Sequence, residues 1–335
     1  MYKRQGDARD PRNYRPITLL QTDYKILARV LANRLKKTIH TIISKEQVGF
    51  VPRRMIGEAT HLLKLVQAYL DDTDEEGLAL AIDWEKAFDR VSWDYYHKAI
   101  QALGFGPGYS RWLVLLTNMD SLPIRWIKAN GRRSNPFTIH CGMPQGCPLS
   151  PLAFLLVAEG LTRLVNADPE MKGITIGPRE LRLSQFADDT QILANSFESL
   201  ERAMHILESY GAATGARVNK SKSILIRMGS LTGARVPETL AYLKTLGEGE
   251  YATILGVPFW EGLDNDSFWE KLYTKLKKKV AAWKGLTSLS IHGRTLLVNF
   301  IIYGTPRYWL STSTPPAWFM EAIDSDVQTI LWDRS

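Results

Sequence analysis

Two apolar runs in this sequence end on aspartate, and that pairing restricts the fold more than any other feature. The first, Leu78 to Ile82, is almost uninterrupted and stops at Asp83. It reads as a buried strand. The second, Leu181 to Phe186, turns through Ala187-Asp188-Asp189 and returns as Gln191 to Ala194. That pattern is a tight hairpin with carboxylates at its tip. A strand of this kind holds its terminal carboxylate at a sheet edge with little freedom. Side by side, the two strands put Asp83 next to Asp188 and Asp189. Clustered carboxylates repel one another unless a cation neutralises them. Hard oxygen ligands suit Mg²⁺, which keeps waters and shares substrate phosphates. Two such ions can activate an attacking hydroxyl and stabilise a leaving pyrophosphate. An Asp-Asp pair is also common in plain turns; the apolar flanks and the partner strand ending at Asp83 favour a site.

Around these strands the periodicity predicts a helix from Thr22 to Ile42, with Tyr24, Leu27, Leu31 and Leu35 on one face, and another from Ile56 to Leu70. Further helices are predicted over Trp93 to Leu103, Leu152 to Leu164, and Phe197 to Tyr210. Asn195 and Glu198 form a capping box for the last of these, and Gly211 and Gly215 end it. Asn130-Gly131 marks a hairpin between Ile124 and Ile139. Strands and helices alternate without a regular βαβ period, so the expected class is α+β, with helices on one face of a mostly antiparallel sheet.

From Asp264 the pattern is helical and basic. Lys271, Lys275, Lys277, Lys278, Lys279, Lys284, Arg294 and Arg307 occur between Lys271 and Leu310 with no acidic residue, and Trp269, Trp283 and Trp309 lie in or beside that stretch. A separate C-terminal domain is expected there. The 335 residues suffice for two or three domains or subdomains, and the net charge of +7 suits a partner made of phosphates. Cys141 and Cys147 lack zinc-site spacing. No apolar run is long enough to span a bilayer, and the polar N-terminus is no secretory signal.

Several segments, taken in order, resemble the motifs of non-LTR retrotransposon reverse transcriptases. Ala81-Ile82-Asp83-Trp84-Glu85-Lys86-Ala87-Phe88-Asp89-Arg90-Val91 resembles their first catalytic motif, and Gly142-Met143-Pro144-Gln145-Gly146-Cys147-Pro148-Leu149-Ser150-Pro151 their second. Phe186-Ala187-Asp188-Asp189 resembles the third, where Tyr is commoner than Phe. Asn219-Lys220-Ser221-Lys222 is similar to the fourth, and Leu255-Gly256-Val257 to the primer-grip motif. Asn13-Tyr14-Arg15-Pro16-Ile17 and Gln47-Val48-Gly49-Phe50 resemble the fingers motifs, and Leu289-Ser290-Ile291-His292-Gly293-Arg294 the thumb signature.

The resemblance implies a right-hand polymerase fold. It implies fingers over residues 1–77 with a hairpin at about 120–140, a catalytic palm over 78–258 with antiparallel sheet and helices, and a helical, basic thumb over 262–335. It assigns Asp83, Asp188 and Asp189 to two Mg²⁺ ions, which Mn²⁺ can replace, with the Ile82 carbonyl as a further ligand. Phe88 takes the position of a steric gate against the ribose 2′-OH. Gln145 is expected to bind the incoming nucleotide, Arg15 to grip its triphosphate, and Lys222, or else Lys220, to protonate or steady the leaving pyrophosphate. Gly256, Lys277, Lys278 and Arg294 are expected along the nucleic acid. Asp89 is read as structural and Cys147 as chemically idle.

The implied activity is RNA-directed DNA synthesis: dNTPs are added to a DNA primer on an RNA template, with no membrane partner, in the nucleus where target-primed elements act. Members of the family carry fingers residues before the segment at which this sequence starts, so N-terminally shortened fingers are expected. No segment resembles an endonuclease. Two other readings stand beside this one: a nucleic-acid-binding remnant without useful catalysis, and an intron-encoded reverse transcriptase that serves splicing.

Overall fold

The structure is a computed structural model, and it describes residues 2–3, 9–10, 14–15, 17–117, 124–247, 250–261, 266–283 and 289–332. Strands β1 (Tyr2–Lys3) and β2 (Tyr14–Arg15) pair antiparallel ahead of helices α1 (Thr22–Lys36), α2 (Ile39–Ile42) and α3 (Ile56–Thr73). Then come β3 (Gly77–Ile82), a 3₁₀ turn at Ala87–Asp89, α4 (Trp93–Ala102) and α5 (Pro107–Leu115). Four short strands follow, β4 (Ile124–Arg125), β5 (Lys128–Ala129), β6 (Arg132–Arg133) and β7 (Phe137–Thr138), and then α6 (Ser150–Ala167). The middle of the chain holds β8 (Ile174–Ile176), β9 (Arg179–Leu181), β10 (Leu183–Phe186), β11 (Asp189–Ala194), α7 (Phe197–Thr214), β12 (Ile224–Met228) and β13 (Lys244–Thr245). The hairpin of β14 (Tyr251–Ile254) and β15 (Val257–Trp260) leads into α8 (Ser267–Ala281), α9 (Ile291–Leu297), a π-helical stretch over Val298–Tyr303, α10 (Arg307–Leu310) and α11 (Ala317–Trp332).

Strands β10, β11, β3, β12 and β13 form one five-stranded sheet in that order. All its pairings are antiparallel except β12 with β13. Strand β3 lies at its centre. Leu78, Leu80 and Ile82 project into a core shared with α1, α4, α6 and α7, while Ala79 projects to the other side, into a core with Leu63, Val66 and Leu70 of α3. The expectation of helices on one face is therefore corrected: both faces are covered. An unbroken apolar strand signals that arrangement, because neither side meets water. Helix α6 crosses the larger core buried on nearly every side, and each of its fully buried Leu or Val side chains contributes about 1.5–3 kcal/mol.

A third core belongs to the C-terminal helices, where Trp269, Leu272 and Leu276 of α8 meet Val298, Ile302 and Phe319. No helix of the described residues is long and apolar enough to cross a membrane.

Local departures from expectation have identifiable causes. The helix over Thr22–Ile42 breaks after Lys36, because the Thr38 amide and hydroxyl both donate to the Leu35 carbonyl and close that turn short. The cap of α7 is Ser196 rather than Asn195. Ser196 is extended and its Oγ accepts from the Ser199 N–H, leaving Asn195 Oδ1 to accept from the Ser199 hydroxyl. Gly215 does end α7, but Gly211 lies inside it. A side chain at Gly211 would come within 2.7 Å of the Ala216 carbonyl as the chain turns back over the helix. The turn at Asn130-Gly131 forms as expected, with both residues at positive φ.

Candidate active site

Strand β11 pairs with β3 from Ala194↔Leu78 down to Thr190↔Ile82. One residue beyond that last pair stand Asp189 on one strand and Asp83 on the other. Asp188 precedes Asp189 in the turn between β10 and β11. All three carboxylates thus stand at one end of the central sheet. Asp83 and Asp188 are half-buried and Asp189 is exposed.

Asp83 is held on several sides. Its N–H donates to Ser223 Oγ at 3.2 Å. Its carbonyl accepts from the Asn219 N–H at 2.8 Å, and its Oδ2 accepts from Asn219 Nδ2 at 3.0 Å. Lys222 and Ser223 both donate their N–H groups to the Asn219 carbonyl, so the fourth-motif turn is a compact loop closed on Asp83. Lys222 is exposed on that loop. Lys220 is engaged elsewhere, 4.4 Å above the Tyr242 ring and 3.9 Å from Glu208. Sequence reasoning placed Asn219 in the fourth-motif segment but gave it no role. The signal for it was an amide at the head of a Lys-rich turn, too short to be read without its partner 136 residues away.

The hairpin tip rests on the segment around Gln47. Gln47 Oε1 accepts from the Ala187 N–H at 2.8 Å, and Nε2 donates to the Ala187 carbonyl at 3.2 Å. Ala187 itself is in the left-handed region, at φ 57°.

The second motif packs against the first. Gly142 has φ +93°, and a side chain there would reach the Asp89 carbonyl at 2.6 Å, so only glycine lets the two loops approach this closely. The Gly142 N–H donates to the Val91 carbonyl at 2.8 Å, and the Met143 N–H to the Phe88 carbonyl at 2.7 Å. The half-buried Phe88 ring stacks on Phe154 of α6, with centroids 4.4 Å apart. Asp89 lies in this contact through its backbone, and Arg90 donates to the Gly215 carbonyl. Gln145 is half-buried, and its carbonyl accepts from the Thr18 N–H at 2.8 Å. Thr18 follows Arg15 by three residues, which keeps the Arg15 backbone within about 10 Å of chain reach of that turn. The Arg15 side chain, Asn13, Pro16 and Lys284 lie outside the described residues. Cys147 is buried in the main core.

The remaining expected residues stand farther along. Gly256 forms the β14–β15 turn with Leu255. Tyr308 Oη donates to the Leu255 carbonyl at 2.6 Å, and Trp309 Nε1 to the Gly256 carbonyl at 2.7 Å. Lys277 pairs with Asp326 at 2.7 Å, which raises the lysine above its ordinary range. Lys278 is exposed. Arg294 donates to the Ile330 and Leu331 carbonyls at the end of α11, acting as a clasp within the C-terminal helices.

Among the described residues, no three His, Cys, Asp or Glu side chains are gathered closely enough to hold a metal ion as they stand. The donor set at the sheet end is nonetheless carboxylate oxygen, on an open edge. Such a set does not make a closed structural cage. It fits a hard cation that keeps part of its water shell and takes its remaining ligands from a substrate.

A family model described as "Reverse transcriptase (RNA-dependent DNA polymerase)" matches residues 3–259. The "Transposon TX1 uncharacterized 149 kDa protein" of Xenopus laevis is 32% identical over 98% of this chain and 25% of its own length. A "Retrovirus-related Pol polyprotein from type-1 retrotransposable element R2" of Popillia japonica is 29% identical over 67% of this chain and 31% of its own. The "Probable RNA-directed DNA polymerase from transposon BS" of Drosophila melanogaster is 31% identical over 56% of this chain and 20% of its own. The chain thus spans between a fifth and a third of the length of these relatives. Among solved structures, apo telomerase from Candida tropicalis aligns over 92% of this chain and 54% of that one, with a TM-score of 0.49 and 10% identity. On its motifs, the family model and the retrotransposon relatives, the chain belongs to the reverse transcriptase (RNA-dependent DNA polymerase) family, of the non-LTR retrotransposon type.

Proposed function

We propose that this chain carries the polymerase activity of a retrotransposon protein, extending a DNA primer on an RNA template with dNTPs. The observation that carries the reading is the meeting of Asp83 and Asp189 one residue beyond the Thr190–Ile82 pair, with Asp188 beside them. Asp83, Asp188 and Asp189, with the Ile82 carbonyl, would hold Mg²⁺ or Mn²⁺. Bound there, two such ions supply charge neutralisation for the attacking and leaving oxygens of an in-line displacement.

The chain's own groups do the rest. The primer 3′-OH gives up its proton to solvent water and bonds to the α-phosphorus of the dNTP, the α–β phosphoanhydride bond breaks, and pyrophosphate leaves. Lys222, free of the ring and carboxylate contacts that occupy Lys220, gives that leaving group a proton. Gln145 orients the nucleotide, and Arg15 grips its phosphates. Phe88, braced by Phe154, closes the space beneath the sugar.

In this reading residues 1–77 with the β4–β7 hairpins are fingers, 78–258 palm and 262–335 thumb. The β4–β7 segment supports a nucleic-acid surface: Arg132 and Arg133 are exposed, and Arg133 lies 4.3 Å above the ring of half-exposed Trp126. No acidic residue occurs between Asp120 and Glu159. Basic and aromatic side chains together suit a single strand of phosphates and bases. Gly256 and Lys278 extend that path, while Lys277 and Arg294 serve it by bracing the C-terminal helices. We assign the action to the nucleus, following the target-primed mode of the elements it resembles.

The test is extension of a DNA primer on an RNA template with Mg²⁺ and dNTPs, run beside Asp188→Asn. Extension by the wild type and none by the variant supports the reading. Salt-sensitive template binding without extension by either would put the binding-remnant reading in its place.

A further inference from the structure

We infer that Gln47 is a positioning residue for the hairpin that carries Asp188 and Asp189, acting through the backbone of Ala187. The inference rests on the polymerase reading of that hairpin. Gln47 is 1% exposed and lies 140 residues from Ala187 in sequence. Its amide takes both polar groups of Ala187, accepting the N–H and donating to the carbonyl. Its Oε1 also accepts from the Gly49 N–H at 2.9 Å. No polar atom of the Gln47 amide is left idle, which is how a buried amide avoids a desolvation penalty.

Ala187 needs such a partner. A left-handed φ of 57° is unfavourable for alanine, and the residue has no glycine-like freedom to relax it. Neighbouring contacts fit the same purpose. The Val48 N–H donates to the Gln185 carbonyl at 2.9 Å, and the Gln185 N–H to the Glu46 carbonyl at 2.8 Å, so residues 46–48 run along the open edge of β10. Gly49 lies against the Ala187 nitrogen, where a Cβ would collide with the backbone.

The clamp is itself braced from outside the sheet. Buried Glu159 accepts from the Ser44 N–H at 2.9 Å and from its hydroxyl at 2.7 Å. Arg54 donates to the carbonyls of Ile43, Ser44 and Gln47. A side chain fixed this firmly on a distant segment transmits that segment's rigidity to the turn next to the carboxylates. Displacing a reactive group by about 1 Å costs on the order of 100-fold in rate.

The test uses Gln47→Met, which keeps the volume and removes the amide, beside Thr162→Val as a control. Thr162 Oγ1 donates to Gln185 Oε1 at 2.8 Å, so its loss weakens the same strand without touching Ala187. Mn²⁺ binding is measured by electron paramagnetic resonance, together with primer extension and thermal melting. Gln47→Met is expected to lower Mn²⁺ affinity and kcat by about 10–100-fold, with template–primer binding unchanged. Thr162→Val is expected to lower the melting temperature and leave Mn²⁺ affinity alone. If Gln47→Met does not fold, Gly49→Ala takes its place, since its added Cβ would press on the Ala187 nitrogen and the Gln47 amide oxygen. Equal effects of the test and control variants, or none, overturn the inference, as does a wild type that binds no Mn²⁺. A wild type that binds Mn²⁺, loses it in Gln47→Met, and never extends a primer would leave the clamp standing and remove the polymerase reading.

Discussion

Asn219 grips Asp83 twice: its side-chain amide donates to Oδ2 at 3.0 Å, and its backbone N–H donates to the Asp83 carbonyl at 2.8 Å. The carboxylate and the peptide that carries it are therefore oriented by one residue. Asn219→Ala keeps the turn but releases the carboxylate. Steady-state primer extension should show kcat reduced by about 10–100-fold, with KM for dNTP changed far less. An unchanged kcat would mean that Asp83 orients itself. Asn219→Asp should be worse, because a second carboxylate faces the first.

Phe88 packs on Phe154, and under the polymerase reading it would also guard the sugar position; one substitution separates the two. In Phe88→Ala the stack on Phe154 is lost, which removes about 0.5–1.5 kcal/mol of aromatic contact as well as buried area. If the ring also bars the ribose 2′-OH, ribonucleotide incorporation relative to dNTP should rise by at least about 10-fold. Competition between rNTP and dNTP on one template measures the second effect, and melting measures the first. A lower melting temperature with unaltered sugar selection would leave Phe88 as a packing residue alone.

Tyr308 and Trp309 tie the β14–β15 turn to the C-terminal helices through the Leu255 and Gly256 carbonyls. Tyr308→Phe and Trp309→Phe each remove one of those hydrogen bonds, worth about 0.5–1.5 kcal/mol. The double variant should loosen template–primer binding by several-fold, on the order of that energy, while single-nucleotide addition at saturating substrate stays near wild type. Titration by fluorescence anisotropy and single-turnover extension separate the two. A slower chemical step would show that the turn reaches the reacting atoms.

Asp168 accepts hydrogen bonds from the Arg202 guanidinium at 2.7 and 2.9 Å, and that partner holds its carboxyl down to about 2. A depressed carboxylate stabilises the fold at pH above its unfolded value of 3.8, and the contribution fades as pH falls toward about 2. Arg202→Gln should therefore have a lower urea midpoint than wild type at pH 5–7. The gap should close as the pH is taken from about 4 to about 2. A gap independent of pH over that range would place the effect in packing and not in the ion pair.

Much of the framework was legible because it is local. The unbroken Leu78–Ile82 run, the Asn130-Gly131 turn and the apolar helix after Pro148 each carry their own period or turn signal. The two covered faces of the sheet were also written in that unbroken run, which an expectation of one helical layer passed over. What could not be read was the set of contacts that cross the chain. Asn219 and Gln47 each fall within a motif segment, but their roles could not be read there, because each is defined by a partner more than 130 residues away. Ser196 and Asn195 are adjacent, equally suitable caps, and only the backbone path chooses between them. Lys277 and Arg294 looked like free cations because their acceptors, Asp326 and the end of α11, come later in sequence.

The strip of chain at residues 46–48 along β10 has a consequence for how the molecule is made. The strip is synthesised long before the strand it covers, which emerges some 140 residues later. Loop closure over that span is slow compared with the formation of neighbouring helices and hairpins. A nascent chain can thus complete its β10–β11 hairpin while the turn at Ala187 still lacks its Gln47 partner and the strand edge is still open to other chains. Docking of the early strip ends both conditions in one event, covering the strand edge and satisfying the Ala187 backbone at the same moment of maturation.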